Sequence, residues 1–184
     1  LEPLKGVDTL LKAIALLKEH ESIDTHRLYL SIIGGNTSEE GDEAEEFRRL
    51  KALNEELGLG DMVTFLGAKG QETLRDYYAA AEVVIMPSHY ESFGMVALEA
   101  MACGTPVIAS EVGGLAYLIQ DGVTGFHVPD RDPEELAGKI GLLLGNHTLR
   151  MEMSEASVRH AEQYAWERVT TQIQELYAGA IARH

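Results

Sequence analysis

The chain has a single cysteine, Cys103, in 184 residues. That excludes an internal disulfide and any multi-cysteine zinc site. Cys103 falls in an apolar run, where it reads as a small buried hydrophobe. Basic residues are scarce as well: 15 Lys and Arg stand against 30 Asp and Glu, a formal net charge of −15. A general nucleic-acid binder is therefore not expected, because that affinity rests on Lys and Arg neutralising phosphates. The same acidity disfavours anionic membrane surfaces, yet a small anionic ligand needs only a few local donors. No apolar run approaches the length of a membrane span and no signal peptide is visible, so the expected compartment is the cytoplasm. The patterns G-x-G-x-x-G and G-x-x-x-x-G-K-[ST] are missing too, which leaves dinucleotide and P-loop readings without support. The first residue is Leu1 rather than an initiator Met, as expected of a piece of a longer protein.

What is present is ordinary for a soluble domain: 45% hydrophobic and 24% charged residues, in a chain long enough to bury a real core. Val7, Leu10, Leu11, Ile14 and Leu17 follow the helical period over residues 6–19. Leu28–Ile33 is a strand ending at Gly34-Gly35, and a second helix runs to Leu57, stopped by Gly58. Strands follow at 62–66, 83–86, 106–109 and 125–128, with helices at 73–81 and 115–119 between them. Helices at 147–163 and 166–181 close the chain. The alternation predicts an α/β domain with a mostly parallel sheet flanked by helices. Ligands of such sheets bind beyond the carboxyl ends of the strands. Those ends carry Gly34-Gly35, Gly67-Ala68-Lys69, Ser88 to Glu91 and Ser110 to Gly114.

Two acidic stretches invite a metal or a basic partner. Residues 38–46 hold six carboxylates, which read as a solvated loop and helix start. Asp130-Arg131-Asp132 resembles an Asp-x-Asp metal clamp. Pro133 and Glu135 instead make Asp132 the start of a helix with a capping box, and no metal site is expected.

The organising stretch is 86–114. Its short helix is almost wholly apolar, yet Glu99 sits inside it and Glu91 just before it, and an ionised carboxylate there needs hydrogen-bonding partners. Gly94 leaves the backbone open at the helix start, where the amides of Gly94, Met95 and Val96 and the helix dipole favour phosphate. Lys5 is either a surface lysine or a mobile positive charge for that phosphate. Glu91 and Glu99, eight positions apart, suit two acceptors holding hydroxyls at opposite ends of an extended ligand. Together these features describe a site for a phosphorylated sugar.

The run Glu91-Ser-Phe-Gly-Met-Val-Ala-Leu-Glu99 resembles the E-x7-E motif of family 4 retaining glycosyltransferases. The resemblance continues through Ala100 to Gly114, and includes Pro3-Leu-Lys-Gly6, Phe65-Leu-Gly67, Tyr77-Tyr78-Ala-Ala-Ala-Glu82, Asp121-Gly-Val-Thr-Gly125 and Trp166. The variant Ser-Phe-Gly-Met-Val-Ala-Leu-Glu leans towards the sucrose-phosphate synthase and inositol-phosphate glycosyltransferase branch. The resemblance implies the C-terminal, Rossmann-like half of a GT-B enzyme. Residues 1–146 would form the nucleotide-sugar-binding domain, and 147–184 helices packing on it or on an N-terminal acceptor domain outside this chain. It implies that Glu91 holds hydroxyls of the transferred sugar, Glu99 the ribose hydroxyls, and Lys5 the diphosphate. Ser92 and the backbone amides of Phe93, Gly94, Met95 and Val96 would contact sugar and phosphate. Ala68 and Lys69 would line the base, with Gly34 and Gly35 allowing close approach.

By the same resemblance no metal or cofactor is needed, stereochemistry is retained, and the donor is a nucleotide-diphosphate sugar. A diphosphate Arg and a first strand usually precede Lys5-Gly6. Their position before Leu1 predicts an inactive fragment with an open sheet edge, available for dimer contact. The family often has Glu where Tyr117 stands. A non-catalytic nucleotide-sugar-binding module and a GT-B-fold epimerase are the alternatives.

Overall fold

The computed structural model describes residues 2–19, 27–35 and 44–181. Five short strands are all paired in parallel: β1 (Leu30–Ile33) with β2 (Val63–Gly67), and β3 (Val84–Met86) with β4 (Val107–Ser110), which in turn pairs with β5 (Gly125–Val128). Eight α-helices accompany them in the described residues: α1 (Val7–Glu19), α2 (Ala44–Glu56), α3 (Gln71–Ala80), α4 (Met95–Ala102), α5 (Leu115–Leu118), α6 (Pro133–Gly145), α7 (His147–Ala161) and α8 (Trp166–Ile181). The expected α/β alternation with a parallel sheet is present. The sheet is divided, with two strands in one part and three in the other. Among the described residues β1 has no ladder partner besides β2, and β3 none besides β4.

Strand β4 explains the layering. All four of its residues are buried, and its side chains alternate between two apolar clusters. Ile108 joins Leu11 and Ile14 of α1 and Leu136 and Ile140 of α6 on one side. Val107 and Ala109 join Tyr78 of α3, Ala97 and Met101 of α4 and Leu115 of α5 on the other. Helices therefore cover both faces of β4, and within each part of the sheet the parallel strands end on the same side.

Boundaries differ from expectation where caps decide them. Pro3–Lys5 is a single 3-10 turn rather than a loop, closed by the Gly6 amide donating to the Pro3 carbonyl at 3.1 Å. Helix α3 begins at Gln71, two residues early. Asp132 caps α6, its carboxylate accepting from the Glu135 amide at 2.9 Å, while the Glu135 side chain turns to Lys139 at 3.1 Å. The capping reading of Asp132 therefore holds through one bond of the box. Of the acidic stretch 38–46, residues up to 43 lie outside the described residues; Glu46 pairs with Arg49 at 2.8 Å.

Helix α7 belongs to the body. Met153, Ser157 and His160 are buried, the Ser157 hydroxyl donates to the Thr124 carbonyl at 3.0 Å, and the His160 imidazole bonds the Leu118 carbonyl at 2.9 Å. Helix α8 buries none of its residues. Its apolar stripe, Trp166, Ile173, Leu176, Tyr177 and Ile181, faces solvent.

Candidate functional site

The site forms where β3 ends. Met86, Pro87 and Ser88 are buried, and the chain then turns outward through His89 and the exposed Tyr90 to Glu91. The His89 amide donates to the Leu4 carbonyl at 2.8 Å, pinning the 3-10 turn that carries Lys5 against the strand end. Gly6 makes this approach possible. Its φ is 63°, and a β-carbon would collide with the Pro87 carbonyl. Lys5 is thereby delivered to Glu91, 86 residues on, with Nζ 2.9 Å from Oε2. The Lys5 side chain is about half exposed (48%) and that of Glu91 less so (17%).

A second loop braces the Glu91 backbone. The Gly114 amide donates to the Glu91 carbonyl at 2.9 Å. A β-carbon on Gly113 would strike that same carbonyl, and one on Gly114 would strike the Phe93 backbone. The glycine loop at the end of β4 thus lies directly on residues 91–93. Only glycine permits that spacing.

Helix α4 starts at Met95, with Gly94 as its N-cap at φ 99°. The missing β-carbon of Gly94 makes room for Leu115, whose Cδ2 it would meet at 2.6 Å. Its bare side thus serves packing of α4 against α5. Met95 and Val96 are exposed in the first turn of α4, and Ala97, Ala100 and Met101 are buried behind them. Phe93 is partly exposed and stacks edge-on against Tyr164 at 5.9 Å. Glu99, half-buried one turn further, accepts from the Tyr78 hydroxyl at 3.1 Å. Burial first, and then the Glu99 carboxylate, push the Tyr78 phenol up to about 12, so it stays a donor. The span from Glu91 to Glu99 is helical only from Met95 onward.

The remaining expected residues lie at the ends of β1 and β2, which are zipped together. The Gly34 amide donates to the Gly67 carbonyl and the Ala68 amide to the Gly35 carbonyl, both at 3.0 Å. Gly34, at φ 125°, has open space where a β-carbon would be. Ala68 is exposed and Lys69 partly so. Among the described residues no three His, Cys, Asp or Glu side chains are grouped as metal ligands.

Two contacts here escaped sequence reasoning, one through Tyr78 and one between His89 and Asp130. Tyr78 lay inside a stretch quoted only as a family landmark. His89 and Asp130 form a pair at 2.6 Å across the ends of β3 and β5, with the Arg131 guanidinium 3.8 Å from the same carboxylate. Arg131 adopts φ 60°, a left-handed conformation rare outside glycine. The sequence Asp-Arg-Asp drew notice only as an Asp-x-Asp metal clamp or a helix cap, and nothing local in it pointed to His89.

A divided parallel sheet with helices on both faces, a helix start beyond a strand end and an acid–lysine pair before it define a Rossmann-like α/β domain. The chain belongs to the glycosyl transferases group 1, whose family profile matches residues 1–160. It is 40% identical over 182 residues to D-inositol 3-phosphate glycosyltransferase of Saccharomonospora viridis, covering 99% of this chain and 42% of that one. With the protein of the same name from Acidothermus cellulolyticus the identity is 42%, covering 99% of this chain and 40% of the relative. The chain thus spans about two fifths of the length of the curated relatives it matches. Sucrose-phosphate synthase of Thermosynechococcus elongatus superimposes with TM-score 0.83 and 38% identity, over 100% of this chain and 44% of that one. An Anabaena protein, HepE, solved with UDP and glucose, gives 0.79 and 27%, over 97% and 46%. The GT-B C-terminal fold and the expected branch, that of sucrose-phosphate synthases and inositol-phosphate glycosyltransferases, are borne out by these matches. No described helix is long and apolar enough to cross a membrane.

Proposed function

We propose that this chain is the donor-binding half of a metal-independent, retaining glycosyltransferase that takes a nucleotide-diphosphate sugar. The observation that carries the reading is the Lys5–Glu91 pair, assembled from distant segments directly before the N-terminus of α4. A diphosphate placed there would meet the ammonium of a half-exposed lysine side chain, together with the first-turn amides of α4 and the positive end of its dipole. Glu91 and Lys5 are the residues next to the reacting bond: Glu91 accepts hydroxyls of the transferred sugar and Lys5 neutralises the leaving diphosphate. Ser92 and the amides of Phe93, Gly94, Met95 and Val96 line the phosphate and sugar. Glu99 accepts the ribose hydroxyls. Gly34, Gly35, Ala68 and Lys69 border the base. An HepE structure holding UDP-glucose, 27% identical to this chain, supports a donor of this class.

The acceptor falls to the remaining length of a protein like the relatives, so the chain alone binds donor and transfers nothing. The solvent-facing stripe of α8 is where that remaining part would pack.

Calorimetry with UDP, GDP and ADP tests the reading, with Glu99→Ala as control: one diphosphate binds the parent chain and the variant loses most of that affinity. Equal binding by both proteins, or none by either, overturns it. In the same experiment Glu91→Gln removes any advantage of UDP-glucose over UDP, provided UDP is the diphosphate that binds. The variant stays folded, since a half-exposed ion pair contributes only about 0–1 kcal/mol.

A further inference from the structure

Glu99 is a half-buried carboxylate on an otherwise apolar helix, and its environment is specific. Tyr78 of α3 is 7% exposed and donates its hydroxyl to Glu99 Oε2 at 3.1 Å. Among the described residues no other side chain or amide hydrogen-bonds the Glu99 carboxylate. The position of Tyr78 is itself fixed from behind. Its backbone carbonyl accepts from the buried Thr105 hydroxyl at 2.5 Å, and the Thr105 amide donates to Ala100 of α4 at 3.0 Å. The end of α3, the turn after α4 and the tyrosine ring therefore form one unit with the helix that carries Glu99.

We propose that Tyr78 is a positioning residue for ribose recognition, holding one oxygen of Glu99 so that the other faces the ribose diol. This rests on the ribose role proposed for Glu99 above. A glutamate side chain has several rotamers, and ordering it on binding would cost affinity; the phenol orders it beforehand. A phenol whose proton is held to about pH 12 donates throughout the working range, and it has no second role as a base there. Tyr78 touches no ligand; it acts through Glu99.

The test separates ribose recognition from general packing. UDP and 2′,3′-dideoxy-UDP are titrated into the parent chain and into Tyr78→Phe, which keeps the ring and its packing. If GDP or ADP is the diphosphate that binds, that nucleotide and its dideoxy counterpart are used. The parent chain prefers the ribonucleotide by about tenfold, the worth of a hydrogen bond to a charged group. Tyr78→Phe loses most of that preference by weakening the ribonucleotide alone. In a Glu99→Gln background, where the preference is already gone, Tyr78→Phe changes nothing further. A variant that keeps the full preference, or that weakens both nucleotides equally, overturns the proposal while leaving Glu99 in place. A parent chain with no preference overturns the ribose role of Glu99, and this proposal with it.

Discussion

Tyr78 keeps its proton in the folded protein well past the pH at which a free phenol loses it. Its ordinary value of 10.0 rises to about 12, chiefly through burial and then through the charge and hydrogen bond of Glu99. The folded state therefore binds this proton more tightly than the unfolded chain does. The resulting contribution to stability is fully present below about pH 10 and is lost as pH rises through 12. In thermal melts the parent chain should lose stability more steeply between pH 10 and 12 than Tyr78→Phe does; parallel curves would contradict this. At the same scale, four glycines are demanded by close packing. Gly6, Gly94, Gly113 and Gly114 stand where backbone or side chains leave no room for a β-carbon. Gly94 shows the limit of reading them from sequence: the glycine marked a close approach, and only the packing reveals Leu115 as what approaches.

Among the elements, α7 and α8 are consecutive helices with opposite burial. The α7 face carrying Met153, Ser157 and His160 is sealed against the body, whereas α8 presents Leu176, Tyr177 and Ile181 to solvent. Met153→Ala should cost about 2–5 kcal/mol in urea denaturation. Leu176→Lys and Ile181→Lys should each change stability by no more than about 0.5 kcal/mol, because they leave no buried contact. A large loss from either α8 substitution would show that the helix packs on its own chain. Trp166, Val169, Ile173, Leu176, Tyr177 and Ala180 recur at helical spacing, as expected of a packed face, yet among the described residues α8 has no buried position. Helical period reports that a face wants burial, and says nothing of where the cover comes from.

At the scale of the whole molecule, the divided sheet leaves β1 and β3 each with an unpaired edge among the described residues. Exposed strand edges invite pairing with a second copy. X-ray scattering should therefore show a radius of gyration that grows with protein concentration; a well-folded monomer at high concentration would refute it. The fold class was readable because strand and helix periods, glycine stops and the Asp132 cap are properties of neighbouring residues. The Glu91–Glu99 acids were readable because a carboxylate in an apolar run is conspicuous by itself. The sequence therefore determined by itself the order of elements and the two acids that stand out in the apolar run. Tertiary structure decided the rest: Lys5 on Glu91 from 86 residues away, Tyr78 on Glu99 from 21, and His89 on Asp130 from 41. The physical reason is range. Local propensity acts over a few residues, whereas these pairs exist only because parallel register and helix packing bring separate strand and helix ends together.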